Sequence, residues 1–151
     1  MNEQKNIKTK KTLNKFSLLT PLAILIFAVI GCNMSTANLS GLKTSKDKEG
    51  KSSSTTFKSG DTLYGNATVQ NNPGKVKVKF YLTAEEDTDL NKKGETLKGS
   101  EVTLEIDGDR TANYSVPVSE GFPGGKYKLT ADMINEAGEK KDSKSVEITV
   151  E

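Results

Sequence analysis

Lys75-Val76-Lys77-Val78-Lys79-Phe80-Tyr81-Leu82 is the stretch that decides the fold. Successive side chains of an extended chain point to opposite faces, so a two-residue apolar period marks a strand with one face buried. Here Val76, Val78, Phe80 and Leu82 form the inward face, while Lys75, Lys77 and Lys79 form the outward one. Working outward, the same period returns in Leu63, Ala67 and Val69, then in Val102, Leu104 and Ile106, then in Tyr114 and Val116. Tyr127, Leu129, Ala131 and Met133 follow, and Val146, Ile148 and Val150 close the chain. Turn-forming clusters separate these runs: Lys58-Ser59-Gly60-Asp61, Asn71-Asn72-Pro73-Gly74, Asp107-Gly108-Asp109, Phe122-Pro123-Gly124-Gly125 and Asn135-Glu136-Ala137-Gly138. No sustained helical period occurs after residue 31, so the pattern predicts an all-β domain, a sandwich or barrel of about seven short strands.

The segment before the strands has the three parts of an export signal. Lys5, Lys8, Lys10, Lys11 and Lys15 stand against one acid, Glu3, and an apolar run extends from Leu18 to Ile30, broken only by Thr20 and Pro21. That run is short of the roughly twenty apolar residues a membrane span needs. It ends in Val29-Ile30-Gly31-Cys32, and Cys32 is the only cysteine in the chain.

These residues resemble the lipobox of bacterial lipoproteins. The resemblance implies a signal peptide over 1–31, cut before Cys32, whose sulfur then carries a diacylglyceryl group and whose freed amine can take a third acyl chain such as palmitate. One chain holds a protein to a membrane only marginally, at about 0.8 kcal/mol per buried methylene, whereas two or more hold it stably. The implied address is the cell envelope, with the protein anchored to a membrane without spanning it. Asn33 after the cysteine lacks the aspartate associated with inner-membrane retention, which points to the outer membrane if the host has two.

Removing the leader reverses the charge. The precursor's 22 basic and 20 acidic side chains lose five lysines and one glutamate, leaving 17 against 19 and a formal charge of −2. The basicity of the full chain therefore belongs to the signal, and charge offers no argument for a nucleic-acid partner. Residues 33–56 hold four apolar side chains, Met34, Ala37, Leu39 and Leu42, among Ser, Thr, Lys, Asn and Gly. This composition predicts a flexible tether over 32–51, with Leu39 and Leu42 left open as the start of a first strand. The folded domain is expected over 52–151. It has no second cysteine, hence no internal disulfide, and depends on packing.

Gly125-Lys126-Tyr127-Lys128-Leu129-Thr130-Ala131 resembles the start of strand F in immunoglobulin-like domains, where a tyrosine two residues before the core position bonds back to the backbone. Tyr127 matches that tyrosine, and Leu129 matches the core position that antibody domains fill with cysteine. Phe80 takes the place of their core tryptophan. The resemblance covers about residues 52–151 and implies a single immunoglobulin-like antiparallel β-sandwich. In that arrangement the first strand begins at one end, which anchoring through Cys32 would turn toward the membrane. Loops 58–61, 85–99 and 119–125 would share the distal end.

Chemistry is sparse. There is no histidine, so histidine-based triads and histidine-ligated metals are excluded, and the one thiol is assigned to lipid. No catalytic, cofactor or metal residues are assigned, and no enzyme activity is expected. Asp87-x-Asp89-x-Asn91 within Glu85–Asn91 resembles the opening of a calcium loop, but Lys92 stands at the glycine position and Lys98 at the bidentate-glutamate position. A solvated loop is the simpler reading. Glu105, Asp107 and Asp109 read as a tight hairpin turn. Lys75, Lys77 and Lys79 read as a solvated face rather than a contact for an anionic glycan or headgroup. Phe122 on its Gly/Pro loop is expected to cap the end of the sandwich rather than to stand out as a binding anchor. The expected function is a non-catalytic, lipid-anchored binding or interaction module that engages a protein or glycan through distal loops. Alternatives are an accessory subunit of an envelope assembly, or an inhibitor of an envelope enzyme.

Overall fold

The structure, a computed structural model, describes residues 36–151. The leader 1–31 and Cys32 lie outside the described residues. Eight strands run in the order β1 (Asn38–Ser45), β2 (Thr56–Phe57), β3 (Thr62–Gln70), β4 (Lys75–Ala84), β5 (Val102–Asp107), β6 (Arg110–Pro117), β7 (Gly125–Ile134) and β8 (Lys140–Val150). They form a three-stranded sheet, β1-β3-β6, and a five-stranded sheet, β2-β8-β7-β4-β5. The pairings are antiparallel except for the two-residue β2, which runs parallel to β8. The domain is all-β, as the two-residue period predicts, and no helix occurs among the described residues.

The alternating side chains of the two sheets meet in one core. Val76, Val78, Phe80 and Leu82 of β4 are all buried, and so are Tyr127, Leu129, Ala131 and Met133 of β7. Across the gap, Leu63, Ala67 and Val69 of β3 and Ala112 and Tyr114 of β6 complete it. Phe80 stacks on Tyr114 with ring centroids 5.3 Å apart and planes 19° from parallel, so one aromatic pair joins the sheets at their centre. Tyr114 still needs a partner for its hydroxyl, and donates it to the Ser100 carbonyl at 3.0 Å.

Two expectations need correction. Residues 38–45, placed in the tether with a first strand at Leu39 and Leu42 left open, form a strand paired with β3 from Asn38↔Gln70 to Ser45↔Tyr64. The sandwich thus begins well before residue 52. The polar composition is that of an edge strand, which has one neighbour and a bulge between Leu39 and Gly41, rather than that of a free linker. Leu39 is buried, and its N–H donates to Asp142 Oδ2 on β8 at 2.8 Å, tying the strand to the opposite sheet. The following turn closes on Asp47, whose carboxylate accepts the N–H groups of Lys51 (3.0 Å) and Ser52.

The second correction concerns Asp107-Gly108-Asp109, which is no hairpin. β5 pairs with β4, and β6 pairs with β3, so the turn carries the chain from one sheet to the other. Gly108 takes φ +67°, a left-handed conformation that glycine adopts without steric cost. Asn72 secures the crossing. Its N–H donates to Asp109 Oδ1 at 2.8 Å, and its side-chain amide donates to the Gly108 carbonyl at 3.0 Å.

Candidate functional site

Three loops gather at the end of the sandwich away from the start of β1: residues 58–61, the long connection 85–101 and residues 118–124. Their neighbourhood follows from the strands they join, since β3 and β7 begin there and β4 and β6 end there. Gly60 N–H donates to the Val118 carbonyl at 2.8 Å, and Val118 N–H to the Asp61 carbonyl at 2.9 Å, so the first and third loops are bonded together. Glu85 N–H donates to the Lys126 carbonyl, and Lys126 N–H to Glu86 Oε1, both at 2.9 Å, which fastens the long loop to the root of β7. Lys128 and Glu85 add an ion pair.

Gly125 is the hinge of this contact. Its φ of +142° is one that side chains rarely adopt, and a Cβ there would lie 3.1 Å from Thr88 Cγ2 and 3.2 Å from Glu86 Oε1. Glycine is therefore required both by the backbone and by the closeness of the long loop.

The tip of the long loop is built on its own hydrogen bonds. Thr88 N–H donates to the Asn91 carbonyl at 2.8 Å, and Asn91 N–H donates to Thr88 Oγ1 at 3.0 Å. Lys93 N–H donates to Asp87 Oδ1 at 2.9 Å, with Lys92 Nζ 3.6 Å from the other oxygen. These contacts, the Lys93 bond foremost, hold the Asp87 carboxyl below its ordinary range. Asp87 is thus engaged within the loop, and its first duty is loop geometry. Among the described residues, no group of three or more His, Cys, Asp and Glu is close enough to hold a metal ion. This tip carries Leu90, which is 71% exposed and the one large hydrophobic side chain standing clear among the described residues. At the root of the long loop, a shallow cleft of about 340 Å³ is lined by Thr55, Glu85, Lys126, Tyr127, Glu147, Ile148 and Thr149.

Phe122 folds back as expected. It is half-buried against the core and meets Tyr127 edge to face, with centroids 5.6 Å apart and planes at 76°. Tyr127 in turn donates its hydroxyl to the Pro123 carbonyl at 2.7 Å, which is the back-bond expected of a tyrosine at the root of this strand. Two of the three lysines on the outer face of β4 are paired with acids. Lys75 Nζ lies 3.3 Å from Glu105, and Lys79 Nζ lies 2.8 Å from Glu101, both on or beside the neighbouring β5. Lys79 also sits 5.7 Å from the Tyr81 ring centre.

Sequence reasoning missed a polar cluster on the outer face of the five-stranded sheet. Asp132 is only 9% exposed there, and it accepts hydrogen bonds from Ser143 Oγ at 2.6 Å and Tyr81 Oη at 3.2 Å, with Lys140 Nζ 3.7 Å away. Desolvation, with the Asp132 charge behind it, raises the Tyr81 phenol. The only signal for this cluster in the sequence is an acid at an outward position of a strand, which is ordinary. Cys32, the one assigned site residue, lies outside the described residues.

No family model matches this chain, and no curated protein matches it. Among solved structures it is similar to a Niemann-Pick type C2 protein from Japanese carpenter ant, at 14% identity and a TM-score of 0.46, over 80% of this chain and 96% of that one. It is also similar to a beta-glucosidase from Kluyveromyces marxianus, at 14% identity and a TM-score of 0.37, over 76% of this chain and 15% of that one. At these scores neither likeness bears on what this chain does.

Proposed function

We propose that this protein is a lipid-anchored, non-catalytic interaction module of the cell envelope, held through Cys32 and presenting loops 58–61, 85–99 and 119–125 to a protein or glycan partner. The observation that carries the reading is that these three loops share one end, with 58–61 bonded to Val118 and the long loop bonded to Lys126, opposite the end at which β1 starts. A surface already ordered before contact loses less entropy on binding than a free loop does. Leu90, exposed at its tip, is the natural apolar contact. We also read the sandwich as immunoglobulin-like. The Tyr127–Pro123 bond, the switch of the first strand from β1 in one sheet to β2 in the other, and Leu129 facing Gly65 at the core position all support that reading.

The anchor and the orientation are tested together in intact bacterial cells expressing the full chain. Labelled palmitate is incorporated into the wild type and not into Cys32→Ser. With a membrane-impermeant thiol reagent, Asp89→Cys labels faster than Pro73→Cys, because residue 73 lies at the end near the start of β1. Equal palmitate incorporation in Cys32→Ser would remove the anchor, and faster labelling at 73 would invert the orientation.

A further inference from the structure

The chain enters the sandwich under a clasp. Asn71 is the one non-glycine among the described residues with a positive φ, +54°, a left-handed conformation that asparagine tolerates better than most side chains. Its carbonyl accepts the Thr36 hydroxyl at 3.0 Å, and its side-chain amide donates to Asn38 Oδ1 at 3.0 Å. Ala37, between those two partners, is buried. The turn that follows is bonded onward, since Gly108 N–H donates to the Gly74 carbonyl at 3.0 Å. Thr36, turn 71–74 and turn 107–109 are thus held together at the end where β1 starts, and the chain is fixed as far back as Thr36.

Between Thr36 and the Cys32 of the proposed anchor stand three residues, Asn33, Met34 and Ser35. An extended chain covers at most about 3.6 Å per residue, so the Thr36 Cα lies no more than about 14 Å from the Cys32 Cα. Acyl chains on Cys32 place it at the boundary of the hydrocarbon core, and the headgroup layer above that boundary is about 5–8 Å deep. The clasp is therefore kept within about 6–9 Å of the headgroup surface. A tether of about twenty residues, running to residue 51, would instead range over about 25 Å root-mean-square.

We propose that the sandwich has no stalk and stands directly on the membrane, with turns 71–74 and 107–109 against the lipid headgroups. This rests on the lipid anchor proposed above and deepens it. The side chains at this end are polar and engaged with one another: Asp109 accepts the Asn72 N–H, and Lys75 pairs with Glu105. Such a surface suits lying against headgroups rather than entering the hydrocarbon. What holds it there is the high local concentration that a short linker imposes, not an affinity of its own. Loops 58–61, 85–99 and 119–125 stand one strand length farther out, roughly 33 Å for the ten residues of β4. Their partner is therefore met close to the bilayer, in the same membrane or in the layer directly over it, a restriction that a long tether would not impose.

The test uses the full chain processed in bacterial cells and placed in vesicles of phosphatidylethanolamine and phosphatidylglycerol, with a nitroxide quencher on a fraction of the headgroups. With the Cys32 sulfur acylated, Pro73→Cys and Asp89→Cys each offer a single thiol for a dye. Quenching is expected to be about three-fold or more stronger at 73 than at 89, given the reach of the linker. Lys75→Cys, at the start of β4, gives the same result as position 73 without altering the turn. Fifteen Gly/Ser residues inserted between Ser35 and Thr36 add about 20 Å root-mean-square and shrink the difference by about half or more. Equal quenching at 73 and 89, or a difference that survives the insertion unchanged, would overturn the seating. The mass of the purified chain separates the two readings: an unacylated Cys32 removes the anchor and the seating with it, whereas an acylated Cys32 with equal quenching removes the seating alone.

Discussion

Gly65 shows how much one absent side chain can decide. It lies on the central strand of the three-stranded sheet, and a Cβ added to it would stand 2.7 Å from Leu129 Cδ2 and 3.4 Å from Tyr114 Cδ1. The two sheets approach closely at this point because a glycine faces a leucine. Gly65→Ala is expected to destabilise the domain by about 1–3 kcal/mol through overpacking, less at most about 1 kcal/mol recovered from the stiffer unfolded chain. Urea unfolding measures it, and adding Leu129→Val recovers part of the loss, since the clash is with the end of that side chain. At Tyr127 the opposite operation is informative. Tyr127→Phe keeps the ring against Phe122 but removes the bond to the Pro123 carbonyl, and is expected to cost about 0.5–1.5 kcal/mol. An unchanged midpoint would show that ring packing alone holds this corner.

Among the elements, β1 is the one whose nature the sequence left undecided between strand and tether. Central strands such as β4 announce themselves, because both neighbours and the core select a strict apolar alternation. β1 is an edge strand with one neighbour, and its burial comes mainly from Leu39, Thr44 and Ser45. Nothing in Asn-Leu-Ser-Gly-Leu-Lys-Thr-Ser distinguishes such a strand from a tether until its partner β3 and the carboxylate of Asp142 are in place. Asp142→Ala removes the acceptor of the Leu39 N–H across the sheets. The expected result is a loss of about 1–3 kcal/mol and faster amide exchange at Leu39 than at β4 residues, measured by hydrogen exchange. Equal protection in variant and wild type would show that pairing with β3 alone holds the strand. The crossing at Gly108 was illegible for a related reason. Asp-Gly-Asp suits a hairpin and a sheet-to-sheet turn equally, and the choice belongs to which strands β5 and β6 find as partners.

The whole molecule should respond to pH at its two extremes and little between. No histidine exists to titrate near pH 6.5. Asp47, Asp61 and Asp87 have carboxyls held below the ordinary 3.8, chiefly by the Lys51 N–H, the Lys46 ammonium and the Lys93 N–H respectively. Their stabilisation is present above pH 3.8 and is lost as pH falls through the lower folded values. Lys75, Lys79 and Lys128 are raised above 10.5 by hydrogen bonds to Glu105, Glu101 and Glu85. Their contribution is complete below that value and fades as pH rises through the folded one. Burial raises the phenols of Tyr81, Tyr114 and Tyr127, so above pH 10.0 the unfolded chain ionises where the folded one resists, and stability falls in the same direction. The urea midpoint is therefore expected to stay level from about pH 5 to 9 and to drop below about 4 and above about 10. A step near pH 6–7 would contradict this account.

The sequence by itself determined the all-β class, the alternating core of β3, β4, β7 and β8, the hairpin after Ile134 and the capping role of Phe122. Each of these depends on a local period or on turn residues that carry their own backbone preference. Only the tertiary structure decided that residues 38–45 are a strand, that Gly108 turns between sheets and that Asp132 is buried. These depend on which strands become neighbours. Neighbour choice is a property of contacts distant in the chain, where side chains of ordinary polarity acquire their roles from whatever lies opposite.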